Sequence, residues 1–240
     1  MTIHLYTVCW NVEGLLPYFI RHYEPLCDRL VFYDNMSTDS TRAIIERCDK
    51  ASVVDFDTGG EIDQSNYLRI KNEKYKQSRG VADYVIVVDI DEFLYHPDLR
   101  AVLCRYRDEG VTLPKVTGFT MVSLFHPRAV RPLIEVVRRG RFSPQYSKMC
   151  VFAPELDINY LPGAHRCEPS PQGVESREAE LRLLHYHYLG LWTVLRRYVY
   201  YQRRLSERNR REAYSVQYKQ SLACTAARFM KNWVCAWRIL

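Results

Sequence analysis

The sequence predicts an α/β protein: a central, mostly parallel sheet flanked by helices, with a basic helical tail. Three observations lead there. Val85-Ile86-Val87-Val88 is an unbroken apolar run that flows into Asp89-Ile90-Asp91-Glu92. A run without polar alternation reads as a strand buried on both faces, as in the middle of a parallel sheet. Upstream, strand-like and helix-like segments alternate in the order β-α-β-α-β-α-β, which implies parallel strands joined by right-handed crossovers. Charge is also divided unevenly. Residues 191–240 hold eleven Arg or Lys and two acids, a net of +9, which leaves 23 basic and 26 acidic side chains in residues 1–190.

Composition narrows the class. The chain has 240 residues, 47% hydrophobic and 26% charged, enough for one domain with a good core plus an appendage. No apolar run approaches the roughly 20 residues of a membrane span. Met1-Thr2-Ile3-His4-Leu5 lacks the basic-then-apolar order of a secretory signal, so a cytoplasmic protein is expected. The eight cysteines are scattered with no CxxC pair. That spacing argues against a zinc knuckle or redox motif and for reduced thiols.

In chain order, Ile3-His4-Leu5-Tyr6-Thr7-Val8 reads as a first strand, ending at Cys9-Trp10-Asn11-Val12-Glu13-Gly14. Leu15, Leu16, Phe19, Ile20 and Tyr23 then recur at helical spacing. Leu30-Val31-Phe32-Tyr33 is a second strand, closed by the polar stretch from Asp34 to Thr41. A helix follows with Ala43, Ile44, Ile45 and Cys48 inward and Asp39 or Ser40 as its cap. Residues 52–56 form a third strand, residues 63–79 a polar helix and residues 84–88 the fourth strand. Beyond residue 94 the pattern predicts a helix over 98–108 and strands over 117–124, 130–137 and 149–152. Residues 153–180 carry Pro154, Pro162, Pro169 and Pro171, a long loop-rich region of the kind that forms lids and binding loops.

The chemistry concentrates at the end of the fourth strand, and in open α/β sheets ligands bind at the carboxyl ends of strands. Asp89 and Asp91 are two residues apart where the chain turns, so both carboxylates can converge on one point. Converging carboxylates repel and call for a cation or a proton. Hard oxygen ligands suit Mg²⁺ or Mn²⁺, which would also hold a diphosphate. A solvated acidic turn is the plainer alternative for a lone DxD.

Taken together, three motifs resemble a known family. Asn11-Val12-Glu13, then Tyr33-Asp34-Asn35-Met36-Ser37-Thr38-Asp39-Ser40-Thr41, then Asp89-Ile90-Asp91-Glu92-Phe93-Leu94 follow the order and spacing of family-2-like glycosyltransferases with a GT-A fold. Ser147-Lys148-Met149 and Leu184-His185-Tyr186 fit later landmarks of the same pattern. The likeness covers about residues 1–190. One departure is the Val12 inserted between Asn11 and Glu13, which the family often places side by side.

The resemblance implies a GT-A domain over 1–190 and a sugar transferred from a nucleotide-diphosphate donor, a UDP-sugar favoured, to an acceptor hydroxyl with inversion. Asp91 is then the leading metal ligand, with Asp89 on the metal or the ribose. A histidine near the end of the catalytic region is the further ligand implied; His185 fits that place and His187 rivals it. A neutral imidazole suits Mn²⁺ better than Mg²⁺. Asp34 is implied to bind nucleobase or ribose, with Asn11 and Glu13 nearby in the donor site. Arg69, Lys71 and Lys148 are candidates for the diphosphate, since Arg and Lys pair with phosphates. The general base has four unranked candidates, Glu92, Glu135, Asp157 and His165.

Residues 191–240 form the tail. Leu222, Ala226, Phe229, Met230, Trp233, Trp237 and Leu240 fall at roughly helical spacing, with Arg228, Lys231 and Arg238 mostly elsewhere around the helix. A basic helix with an aromatic face can lie on an anionic membrane surface, near a glycan or lipid-linked acceptor at the cytoplasmic face, or it can pack on the domain. No nucleic-acid partner is expected, because the basic stretch lacks a reading motif. Surface-glycan biosynthesis is the pathway class implied. Two rival readings are a nucleotidyltransferase, which should carry a Gly-rich basic loop after the first strand, and a non-catalytic sugar-nucleotide-binding module.

Overall fold

The computed structural model describes residues 1–128, 130–168, 172–207, 209 and 216–240. Pro169 and Pro171 of the proline-rich region, and Arg208, Arg210, Arg211 and Glu212 of the tail, lie outside the described residues.

The first half is the alternating unit the sequence predicts. Strands β1 (Ile3–Cys9), β2 (Arg29–Asp34), β3 (Ala51–Asp55) and β4 (Tyr84–Val87) alternate with helices α1 (Leu16–Tyr23), α2 (Thr41–Ile45) and α3 (Gln64–Glu73). The four strands pair in parallel in the order β3-β2-β1-β4, with Leu5 opposite Leu30 and Ile86. Both faces of this sheet are covered. Tyr84, Ile86 and Val88 pack with Phe19 and Tyr23, while Val85 and Val87 pack with Tyr75, Phe152 and Ile158. That two-sided burial is why the run from Val85 to Val88 shows no polar alternation.

Local chemistry sets the helix starts. Asp63 caps α3 by accepting from the Ser65 and Asn66 amides, and Asp39 accepts from the Thr41 amide ahead of α2. Only Ile45 and Cys48 of the predicted inward face of α2 are buried; Ala43 is exposed.

The second half is a mixed sheet. It contains β5 (Glu92–Tyr95), β6 (Val116–Ser123), β7 (Arg139–Phe142), β9 (Leu181–Leu189) and β10 (Trp237–Arg238), in the order β10-β7-β6-β9-β5. β8 (Val151–Phe152) instead joins the first sheet, antiparallel to β4. Helix α4 (Leu99–Asp108) forms where the pattern predicts one, and its Asp98 cap accepts from the Ala101 amide. The predicted strand over 130–137 is not formed. Leu133–Val136 is a short helix, α5, with Pro132 at its N-cap in an extended conformation (φ −53°, ψ 136°); Pro132 also lacks the N–H that a strand ladder would use.

The tail folds onto the mixed sheet. Helix α6 (Leu191–Arg204) and helix α7 (Leu222–Val234) share a cluster with Val122 and Tyr188 of the sheet, and Phe229 is fully buried in it. The last helix ends at Val234, so the expected helical run to Leu240 is broken; Trp237 and Arg238 pair with Gly140 and Arg139. All eight cysteines are free. Among the described residues, no helix is long and apolar enough to cross a membrane.

Candidate functional site

A cleft of about 420 Å³ opens at the carboxyl ends of β1 and β4. Val8 to Val12 from the end of β1, Asp89 to Glu92, and His185 to His187 all line it. The two sheets meet here. The chain leaves β4, turns through Asp89-Ile90-Asp91, and enters β5, which pairs antiparallel with β9 so that Glu92 lies opposite His185. The Tyr186 amide donates to the Asp91 carbonyl at 2.7 Å, which fastens the turn to β9.

That register brings three ligand atoms together. His185 and His187 are two apart on one strand and therefore project to one side. Their rings are nearly parallel, 5.3 Å apart. Asp91 Oδ2 lies 3.3 Å from His185 Nε2 and 3.4 Å from His187 Nδ1. The three ligand atoms lie within 4.8 Å of one another. Both histidines, expected as rivals, converge on the same carboxylate.

The electrostatics favour a cation. Burial works to raise the Asp91 pKa, but the two imidazoles beside it prevail and hold it well below the usual carboxylate range. Burial, reinforced by the Arg197 charge, pulls His187 down to about 3. A neutral imidazole keeps its lone pair for a metal. His185 Nδ1 is buried without a partner among the described residues. One carboxylate and two imidazoles fit a divalent transition metal better than Mg²⁺, which prefers oxygen ligands.

Asp89 takes a different partner. Its Oδ1 lies 2.6 Å from Lys71 Nζ, and it stands outside the three-residue cluster. Burial raises its pKa, yet the Lys71 and Lys148 charges outweigh that and lower it overall. Behind it, Lys148 Nζ lies 2.7 Å from Glu92 Oε1 with both side chains almost fully buried. Glu92 Oε2 also accepts from the Asp89 amide at 2.8 Å. A buried ion pair thus props the acidic turn from below.

The other expected site residues are placed as follows. Asn11 lines the cleft in a left-handed conformation, φ 47°, but its side chain is spent on the Thr38 backbone amide at 2.7 Å. Glu13 accepts from the Ser40 amide and does not line the cleft. Asp34 is buried at the end of β2, its carboxylate accepts from the Ser37 amide and hydroxyl, and it is not among the residues lining the cleft. Arg69 is on the exposed face of α3 beside Asn66 and does not line the cleft. Glu135 pairs with Arg131, and exposed Asp157 pairs with Arg79 and Lys76, both away from the cleft lining. Glu92 lines the cleft but is held by Lys148. His165 lines it with Nδ1 buried and unpartnered, and burial together with the Lys148 charge pulls it down to about 4.

Sequence reasoning missed several wall residues. Tyr146 lines the cleft, its ring centroid 3.9 Å from that of His185. Gly118 makes that possible: a Cβ there would fall 2.1 Å from the Tyr146 carbonyl carbon. Trp10, Tyr67, Arg197, Tyr201 and Arg204 also line it, and Trp10 stacks on Tyr200 at 5.1 Å.

No family profile and no curated protein matches the chain. Solved structures do. The chain is similar to S. aureus TarS, with a TM-score of 0.51 at 13% identity, over 82% of this chain and 38% of that one. It is also similar to S. aureus TarS 1–349 in complex with UDP-GlcNAc, with a TM-score of 0.52 at 12% identity, over 85% of this chain and 66% of that one. The chain therefore spans less than two thirds of these structures. The likeness shows the fold: a mixed α/β architecture with a parallel core, of the GT-A type.

Proposed function

We propose that this chain is a metal-dependent glycosyltransferase that moves a sugar from a nucleotide-diphosphate sugar to an acceptor hydroxyl, with inversion. The convergence of Asp91, His185 and His187 at the carboxyl end of the parallel sheet carries this reading. Those three residues would hold Mn²⁺ in preference to Mg²⁺. A bound divalent cation supplies positive charge to the diphosphate oxygens as the sugar leaves.

The chain's own residues do the remainder. Lys71 neutralises Asp89, so the acidic turn can approach a diphosphate without repelling it. The buried Glu92–Lys148 pair fixes that turn. His165 is the base candidate that lines the cleft with a nitrogen unpartnered among the described residues, and it is the one we assign to the acceptor's proton.

A UDP-sugar is the first donor to test, since a neighbour in fold is TarS 1–349 in complex with UDP-GlcNAc. A glycan or lipid-linked acceptor in surface-glycan biosynthesis suits a tail that leaves Met230, Val234 and Trp237 exposed beside Lys231 and Arg238. Residues 191–240 would then make peripheral contact with the cytoplasmic face of a membrane, salt-dependently, as sedimentation with anionic liposomes would register.

The test of the activity is a thermal-shift screen of nucleotide sugars with and without Mn²⁺, because a ligand bound only by the folded state raises its stability. One donor should raise the midpoint only when Mn²⁺ is present, and Asp91→Ala should abolish both that shift and donor hydrolysis. Equal shifts in Asp91→Ala would sink the metal-dependent reading.

A further inference from the structure

The last wall of the cleft is α6. Thr193, Arg197, Tyr201 and Arg204 line it, at offsets of four, eight and eleven residues along one helical face. Two of the four are arginines, about 10 Å apart along the helix axis. Arg197 donates to the His187 carbonyl, beside the ligand cluster. Arg204 donates to the Gly60 carbonyl, and its guanidinium lies over the Trp10 ring.

Neither guanidinium is satisfied. Arg197 Nε and Arg204 Nη2 are buried and have no hydrogen-bond partner among the described residues. Nor does either arginine form an ion pair with a carboxylate among the described residues. The acids of the cleft are already engaged: Asp89 by Lys71, Asp91 by the histidines, Glu92 by Lys148. Both side chains are half-buried, yet each keeps one buried nitrogen without a partner among the described residues, in a cleft whose acids are taken. A desolvated donor left unpaired is unfavourable, and two cationic ones on one wall favour an anionic ligand. A guanidinium fork matches phosphate oxygens in shape as well as charge.

We propose that Arg197 and Arg204 are a clamp for the diphosphate of a nucleoside-diphosphate ligand, so that α6 completes the donor site. This rests on the nucleotide-sugar reading above. Arg197 holds the phosphate nearer the histidine pair, and Arg204 holds the other end, beside Trp10. The diphosphate gains negative charge as the sugar departs, so fixed cations serve the transition state more than the ground state.

Calorimetric titration of the full chain tests the clamp. The probes are inorganic pyrophosphate with EDTA present, which isolates the arginines from any metal, and UDP with Mn²⁺. The variants are Arg204→Gln, Arg204→Lys and Arg197→Gln. The Arg204 pair keeps the test valid if Arg197→Gln, which loses its bond to β9, misfolds. Wild-type protein should bind both probes, Arg204→Gln should bind each at least tenfold more weakly, and Arg204→Lys should fall between. Wild-type binding of UDP with Arg204→Gln within twofold of it for both probes would overturn the clamp and leave the donor reading standing. Failure of wild-type protein to bind UDP, pyrophosphate or any nucleotide sugar would overturn both.

Discussion

The parallel sheet and the mixed sheet meet at the cleft, and they neutralise charge there in different ways. At the end of β4, Asp89 is held by a lysine from α3, and Glu92 by Lys148 beneath it. These are fixed ion pairs made of the protein's own charges. Two residues from Asp89, Asp91 faces the imidazoles of β9, His187 among them neutral near pH 7. The first arrangement holds the turn in place. The second leaves a carboxylate ready for an external cation. Two acids that look alike in sequence thus do different work, because one faces the helix side of the parallel sheet and the other the strand brought in by the mixed sheet.

The sharpest way to break this contrast is to remove the internal cation. Lys148→Met leaves Glu92 buried without a counter-charge and should cost about 3–5 kcal/mol of stability. The double variant Lys148→Met with Glu92→Gln should recover most of that, as urea unfolding would register. A Lys148→Met variant as stable as wild type would mean that the pair is no prop.

A smaller effect comes from the packing behind the histidines. Gly118→Ala would force the Tyr146–Ser147 backbone off β6. It should cost about 1–3 kcal/mol, the usual range for overpacking, and weaken Mn²⁺ affinity because Tyr146 leans on His185. Unchanged Mn²⁺ affinity would show that the ring does not position the imidazole.

Protonation gives a third handle. His165 has a pKa of about 4 in the fold against 6.5 as its ordinary value. Between those values the unfolded chain binds more protons than the folded one, so stability should fall as pH drops from 6.5 toward 4. His165→Gln should flatten that slope in urea midpoints measured at pH 7 and pH 5. An unaltered slope would place the titration elsewhere.

The smallest effects are expected away from the cleft. Glu135→Ala and Asp157→Ala should each stay within about 0.5 kcal/mol of wild type, as surface substitutions usually do, with donor hydrolysis unchanged. Loss of activity in either would restore that residue as a base candidate.

The same contrast explains what was legible in the sequence. Strands of the parallel sheet are buried on both faces, so the runs at Leu30 and Val85 announce themselves. The acidic turn after β4 is visible for the same reason, since the apolar run stops where the rim begins. The mixed sheet hides better. Val130, Val136 and Val137 suggest a strand, yet Pro132 cannot donate to a strand ladder and the chain after it is a short helix. Asp34 has the right place in the chain, but a Ser37 three residues on captures its carboxylate, a turn preference that competes with ligand binding. Nothing local tells a basic tail to return to the cleft. The one available signal was the stripe of Arg197, Tyr201 and Arg204, whose spacing puts cations and an aromatic on one helical face.

Mn²⁺ titration followed by electron paramagnetic resonance tests the central claim most directly, because the signal of free Mn²⁺ is lost on binding. Wild-type protein should take up one Mn²⁺ per chain, and Asp91→Asn, His185→Ala and His187→Ala should each weaken it by tenfold or more while Asp89→Asn changes it least. Binding that survives in all three cluster variants, or that fails only in Asp89→Asn, would contradict the account.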